Sequence, residues 1–334
     1  MGTALIDADI VAYRAAAVSQ ENIEWSDGQK GATLSKQQAL ESAEHILKEW
    51  MLGARCKKAI LCFTCSDNFR KEVYPDYKNN RRSDPPELLG DVIEHLKETH
   101  ESYTVSRLEA DDVMSIYATS EFVKNAVIVS IDKDMKTVPG MIFNPDKDAA
   151  PWRNRVVQAD RWWMLQTLMG DSSDGYPGIP GIGPKKAEKI LAEARSVSLI
   201  SLWTTVVSAY RDAGLTEDDA ITQARLARIL RAEDFNKEKR EIALWHPTNP
   251  TMMSIDPRTT LQTEASSPSI SSEIEDSASL KETSSNTFAD GEQKTARKTS
   301  RKRGSTSTDS SRKPNRRRTK KSSTLTVPME GPTE

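Results

Sequence analysis

Ala126-Val127-Ile128-Val129-Ser130-Ile131-Asp132-Lys133-Asp134 is an apolar, β-branched run closed by two acids. A short run of this kind reads as a strand buried on both faces. In an open parallel sheet the carboxyl ends of the strands border the ligand crevice, so acids at that end mark it. Working outward, Thr3 to Ile6, Lys58 to Phe63 and Met141 to Phe143 are runs of the same type, and the helical patterns Lys36 to Leu52 and Asp111 to Phe122 lie among them. Strands alternating with helices predict an α/β fold, a parallel sheet covered on both faces. After Asp160 the strand signal stops, and everything to about Trp245 reads as helix or turn. This places an α/β core in residues 1–159 and a helical subdomain in 160–250.

The last stretch reads differently. Residues 251–334 hold 31 Ser plus Thr, 11 large apolar residues and neither Trp nor Tyr. That is too little apolar surface to offset the entropy of ordering, so a disordered tail is expected. The tail carries 15 basic and 11 acidic residues, leaving 32 against 38 in residues 1–250, so an acidic body is joined to a basic tail. Twelve of those cations fall between Arg297 and Lys321, beside the single acid Asp309. Each phosphate such a segment neutralises releases counterions, which favours a nucleic-acid tether over an idle appendage.

Several classes drop out. Three cysteines cannot build a disulfide framework and suit a reducing compartment. The Cys62-x-x-Cys65 pair lies along an apolar strand run without a second pair, so buried strand cysteines are expected rather than a zinc or redox site. No apolar run approaches a membrane span, and the start of the chain lacks a basic signal-peptide region. The four histidines (His45, His95, His100, His246) are scattered, and none has a second histidine at i+4.

Acids recur where strands end or helices begin: Asp7 after the first strand; Glu109, Asp111 and Asp112 at a helix start; Asp132 and Asp134; and Asp171 and Asp174 at the head of a Gly/Pro-rich loop. Taken singly, each group is explained by capping or by a solvated turn. Brought together in one crevice, these eight carboxylates would repel strongly unless hard cations neutralised them, and Mg²⁺ takes such oxygen ligands. The set suits two-metal phosphoryl chemistry. Gly178-Ile179-Pro180-Gly181-Ile182-Gly183-Pro184-Lys185-Lys186 fails as a P-loop, because Pro184 intervenes and no Ser or Thr follows the lysines. It reads instead as a glycine hairpin before a helix, able to hold a phosphate without reading bases.

Glu109-Ala110-Asp111-Asp112, Asp132-Lys133-Asp134, Tyr77-Lys78-Asn79-Asn80-Arg81 and Gly170-Asp171-Ser172-Ser173-Asp174, followed by Pro177 to Gly183, together resemble the 5′ nuclease superfamily. That group includes flap endonucleases and the 5′ nuclease domain of bacterial DNA polymerase I. Asp174-Gly175-Tyr176, Ala227 to Arg231 and Glu241 to Trp245 are more similar to the 5′-3′ exonucleases of short-tailed bacteriophages. The resemblance spans about residues 3–247. It implies a PIN-like core with a helical arch at about 67–108, and a helix-two-turn-helix subdomain.

The resemblance further implies two Mg²⁺ ions, replaceable by Mn²⁺. Asp7, Glu109, Asp111 and Asp112 would form the tighter site, and Asp132, Asp134, Asp171 and Asp174 the second. Lys78 and Arg81 would reach the scissile phosphate as catalytic cations. Arg70 and Tyr77 would pair or stack with the threaded strand, and Gly178, Gly181, Gly183, Lys185 and Lys186 would grip the duplex, with K⁺ on hairpin carbonyls. The implied substrates are duplex DNA with a 5′ end, nick or flap, and RNA-DNA hybrid. A phage single-stranded-DNA-binding protein or polymerase is the implied protein partner, no membrane is involved, and the implied place is the cytoplasm of an infected bacterial host. The alternative is a non-catalytic DNA-binding protein of the same fold, against which the complete acid set argues. A ribonuclease of the PIN type would have no use for the hairpin subdomain. Two departures from the pattern stand out: Cys65 where relatives carry an acid after the second strand, and Gly175 for Asn, expected to loosen the turn at the second site.

Overall fold

The computed structural model describes residues 2–24, 30–80, 84–120 and 122–248, with backbone alone for 20–24 and 30–34. The expectations for residues 251–334 and for Arg81 lie outside the described residues.

Six strands form the main sheet: β1 (Gly2–Asp7), β4 (Cys56–Phe63), β5 (Ser102–Thr104), β6 (Ala126–Val129), β7 (Gly140–Phe143) and β8 (Trp152–Asn154), in the order β5-β4-β1-β6-β7-β8. The four expected strands are present and mutually parallel where they pair. The last strand is a correction: β8 pairs antiparallel with β7. A hairpin of β2 (Gln20–Glu24) and β3 (Lys30–Leu34), and the two-residue ladder β9 (Phe235–Asn236) with β10 (Glu241–Ile242), are also strands that the apolar runs did not predict.

Burial explains the sheet. Ala4, Leu5 and Ile6 of the central β1 are fully buried, as a strand covered on both faces requires. One face packs on α1 (Ala8–Val18), α2 (Lys36–Gly53) and α4 (Leu89–Thr99), where Ala8, Ala12, Ala15, Ala39 and Ala43 allow close helix approach, with Leu47, Trp50, Val92 and Leu96 filling the remainder. The other face packs on α5 (Ala110–Thr119) through Val113, Met114 and Ile116. Part of the expected arch belongs to the core: α4 buries Val92 and Leu96 on one side of the sheet, and Phe69, next to α3 (Arg70–Val73), is buried in the cluster on the other.

The helical part comprises α6 (Val156–Met169), α7 (Pro184–Ala192), α8 (Leu199–Asp212) and α9 (Glu217–Ala227). These helices share an apolar core in which Trp245 meets Trp163 and Trp203 edge-on, with ring centroids 4.9 and 4.8 Å apart. The Trp163 indole N–H donates to the Ala224 carbonyl at 2.8 Å, satisfying the one polar atom that this large side chain buries. Cys62 is buried in β4 as expected, whereas Cys65 lies past the strand, is partly exposed, and donates its thiol to Asp67 at 2.7 Å. Among the described residues no helix is long and apolar enough to cross a membrane.

Candidate active site

Strand register brings the acids to one rim. Asp7 ends β1 beside Cys62, and Ile6 lies beside Val129, so the exits of β1, β4 and β6 are level. Asp7 is buried, caps α1 and accepts from the Ser130 hydroxyl at 2.9 Å. Burial, and then the neighbouring Asp9, push its carboxyl up to about 7. Asp111, in the first turn of α5, is raised well above the usual range by burial and by Asp7, Asp132 and Glu109, with only Lys78 drawing it back. Asp134 is raised to about 7 by burial and by Asp132, against the pull of Lys133. Asp7, Asp111 and Asp132 thus share one electrostatic neighbourhood, and Asp132, Asp134, Asp171 and Asp174 the adjoining one.

Cations hold the remaining acids. Glu109 is buried, which alone would raise it, yet Arg70 and Lys78 hold it down at about 2. Lys78 ion-pairs with Glu109, and its ammonium lies 3.9 Å from Asp174. Its backbone, at φ +59, donates to the Asp174 carbonyl at 2.8 Å, which ties this segment to the acid loop. Asp171 is nearly buried, but Lys133 at 2.5 Å and the Ser173 hydroxyl outweigh that burial and lower it. Among the described residues, no three His, Cys, Asp or Glu side chains stand close enough to form a ready-made metal cage. The donor chemistry nevertheless fits a hard cation, since Asp7, Asp111 and Asp134 are recessed carboxylates crowded by like charge.

Four expected roles are corrected. Arg70 is 2% exposed and cannot pair with a threaded strand. Its guanidinium binds Asp112 through two bonds of 2.7 and 2.8 Å, Glu109 at 3.1 Å, and the carbonyls of Leu226 and Arg228 at 3.2 and 2.7 Å. Asp112 is the other half of this correction. Each of its oxygens accepts two protein donors, the second pair being the backbone N–H groups of Leu230 at 2.9 Å and Glu109 at 3.2 Å, so its lone pairs are committed. Tyr77 is buried too, its hydroxyl lying 3.0 Å from Glu109 and 3.1 Å from Asp174, and its ring packs with Tyr176 rather than facing solvent. Gly178 is the fourth: its N–H donates to Gln223 at 2.9 Å, and a Cβ there would lie 2.2 Å from the Gly170 nitrogen. It is a packing glycine.

The other hairpin residues named for the duplex grip face solvent. Gly181, Gly183, Lys185 and Lys186 are exposed or half-buried, Gly181 takes φ +76 with open space where a Cβ would stand, and its carbonyl accepts from Lys186 at 2.9 Å. Gly175, at φ +78, sits where a glycine is needed; a Cβ would lie 3.2 Å from the Asp76 carbonyl, so the turn is tightly docked and not loosened.

Four groups escaped the sequence reading. Asp9 accepts from the Thr64 N–H at 2.9 Å and adds charge beside Asp7. Ser130, Lys133 and Gln166 hold Asp7, Asp171 and Asp134, Gln166 at 2.5 Å from the helical side. Only the Asp7-x-Asp9 spacing carried a signal; single polar residues at strand ends and in helices look like surface. His95 and His100 converge on Glu44, each 3.0 Å from its Oε1, a pairing that sequence spacing did not show.

Comparison with known proteins agrees with this architecture. Residues 2–148 match the 5′-3′ exonuclease N-terminal resolvase-like domain, and residues 157–248 match the 5′-3′ exonuclease C-terminal SAM fold. The chain is 31% identical to the Exodeoxyribonuclease of Enterobacteria phage T3, over 74% of this chain and 93% of that protein. It is 30% identical to the Exonuclease of Escherichia phage T7, over 74% and 94% of the two chains. The crystal structure of a T5 protein co-crystallised with metal ions shares the fold, with a TM-score of 0.53 and 17% identity over 69% of this chain and 90% of that one. With both domains in order and both phage relatives matched over nearly their whole length, the chain belongs to the 5′-3′ exonuclease family and is a nuclease, a hydrolase.

Proposed function

We propose that the chain is a Mg²⁺-dependent exonuclease that degrades double-stranded DNA from a 5′ end, nick or flap, with flap endonuclease and RNA-primer-removing activity. The observation that carries the reading is the crowding of Asp7, Asp111 and Asp134 at one rim of the sheet, each held at a raised pKa by burial and neighbouring acids. Asp7, Glu109, Asp111 and Asp132 would hold one divalent ion, and Asp132, Asp134, Asp171 and Asp174 the other. Mn²⁺ would serve in place of Mg²⁺. When bound, such ions lower the pKa of the attacking water and stabilise the leaving oxygen.

The chain's own residues do the positioning. Lys78, left between Glu109 and Asp174, carries the charge placed to meet the scissile phosphate, and Arg81 is assigned the same task. Arg70 and Tyr77 fix Glu109 so that it does not reorganise during the reaction. Gly181, Gly183, Lys185 and Lys186 hold the duplex backbone, where K⁺ would compete with Lys186 for the Gly181 carbonyl. In this division residues 1–159, with Asp171 and Asp174, perform the chemistry, the rest of 160–250 grips the duplex and 251–334 tether the enzyme to nucleic acid. The setting is phage DNA replication, recombination and host-DNA degradation in the bacterial cytoplasm, alongside a single-stranded-DNA-binding protein or polymerase.

End-labelled duplex, nicked, flapped and RNA-primed substrates, resolved by product length, test the proposal. Release of short products from the 5′ end in Mg²⁺ is expected. Release from the 3′ end only, or equal release in excess EDTA, contradicts it.

A further inference from the structure

Beside the edge strand β5 lies a cavity of about 350 Å³, lined by Tyr103, Tyr117 and Phe235 together with Lys237 and Arg240. Its tyrosines join an aromatic residue outside it: the Tyr103 and Tyr117 rings are 5.1 Å apart, and Tyr117 meets Phe122, beyond the cavity lining, at 5.9 Å. Phe122 is 68% exposed, although it is large and apolar. The Lys237 ammonium stands 4.3 Å from the Tyr117 ring centre and close over Phe122.

The cations here outnumber the acids set among them, Lys237, Lys239 and Arg240 against Glu238 and Glu241. Lys237, Lys239 and Arg240 are exposed in the turn between β9 and β10, and none has a carboxylate partner among the described residues. Yet residues 1–250 carry 38 acidic against 32 basic side chains, so three unpaired cations beside exposed aromatic surface run against the trend. Rings interleaved with cations suit a single strand, whose bases stack while its phosphates take the charges.

Strand register ties this cavity to the acid rim. Asp7 lies beside Cys62, and Cys62 beside Tyr103, so two strand spacings, about 10 Å, separate the backbones of Asp7 and Tyr103. The loop after β5 runs through Leu108, which lines the cavity, directly into Glu109.

We propose that this aromatic and basic surface at the β5 edge binds the single-stranded segment adjoining the duplex end that the acid site attacks. The inference rests on the DNA-cleaving reading above. An acidic peptide would satisfy the cations but has no comparable need of the exposed Phe122 ring.

The test uses the full chain in Ca²⁺, fluorescence anisotropy, and two probes: a blunt duplex and the same duplex with a ten-thymidine 5′ tail. Lys237→Ala/Arg240→Ala and Phe122→Ala alter exposed residues outside the acid site. Each is expected to weaken tailed-duplex binding by about tenfold, as removal of one stacking platform or phosphate-binding charge would, while blunt-duplex binding and its Mg²⁺-dependent cleavage stay at the wild-type level. The double variant should also flatten the salt dependence by roughly 0.7 log units for each phosphate it no longer neutralises. Wild-type binding of the tailed probe by both variants overturns the proposal, as does equal weakening on both probes, or competition by hexaglutamate that matches that of free oligothymidine. A wild-type chain inert on blunt duplex in Mg²⁺ would instead overturn the DNA-cleaving reading itself.

Discussion

Asp111 and Asp112 are adjacent in one helical turn and belong to two different regions. Asp111 faces the crevice, where Asp7, Asp132 and Glu109 crowd it and no hydrogen bond from a protein donor reaches it among the described residues. Asp112 faces the opposite way, into a brace in which Arg70 and two backbone N–H groups saturate both its oxygens. The same side chain in the same motif is thus poised for an external cation in one region and neutralised by an internal one in the other. Partners, not spacing, set the role of a carboxylate.

Breaking the brace should have the largest effect. Arg70→Ala leaves Asp112 buried without its countercharge, a loss of about 3–5 kcal/mol for a broken buried pair. Chemical denaturation should show it, and stability within about 1 kcal/mol of wild type would mean that water replaces the guanidinium. Arg70→Lys should recover only part, because a lysine cannot reach two acids and two carbonyls in one plane.

Emptying the crevice of charge should do the reverse. Asp111→Asn and Asp132→Asn are expected to lower turnover by well over tenfold, or more than about 1.4 kcal/mol in barrier. Duplex binding in Ca²⁺ should stay largely intact, because phosphate contacts that position a duplex lie elsewhere. Asp111→Asn should also raise the metal-free melting temperature by a few degrees, roughly 2–4 °C per kcal/mol for a chain of this size, since it removes a repelled buried charge. A melting temperature below that of wild type would show that the charge is compensated.

A pH series separates the two regions without mutation. Asp7 and Asp134 have folded-state values of about 7 against 3.8, so they hold protons more tightly when folded. Their contribution is complete below about 4 and is lost as pH rises through 7. Glu109, lowered from 4.5 to about 2, acts oppositely: its contribution is present above 4.5 and is lost as pH falls toward 2. Metal-free protein should therefore lose stability between about pH 4 and 7, and saturating Mg²⁺ should cancel that loss. A flat metal-free profile across this window would contradict the crowding.

The sheet and the crevice were legible because apolar period and strand-end acids report directly on burial and on the open carboxyl ends. The brace was not. Arg70 and Tyr77 sit in a loop of interleaved cations and aromatics, and such a loop looks the same whether its cations meet phosphates or buried acids; Asp112 is 42 residues away from Arg70. Gly178 and Gly181 could not be told apart for a similar reason, since both look like hairpin glycines while only Gly178 touches backbone. That pair gives the smallest predicted effect on the fold. Gly181→Val should leave stability nearly unchanged apart from strain at φ +76, of order 1 kcal/mol, while weakening duplex binding at every salt concentration. Unchanged duplex affinity would place the grip elsewhere.

The division between crevice and brace is tested most directly by calorimetric titration of Mg²⁺ into the metal-free full chain at about pH 7.5, comparing wild type with Asp111→Asn. The account predicts saturable uptake by the wild type and at least tenfold weaker uptake by the variant, a loss of about 1.4 kcal/mol. Equal uptake by the two proteins, or none by the wild type, would contradict it.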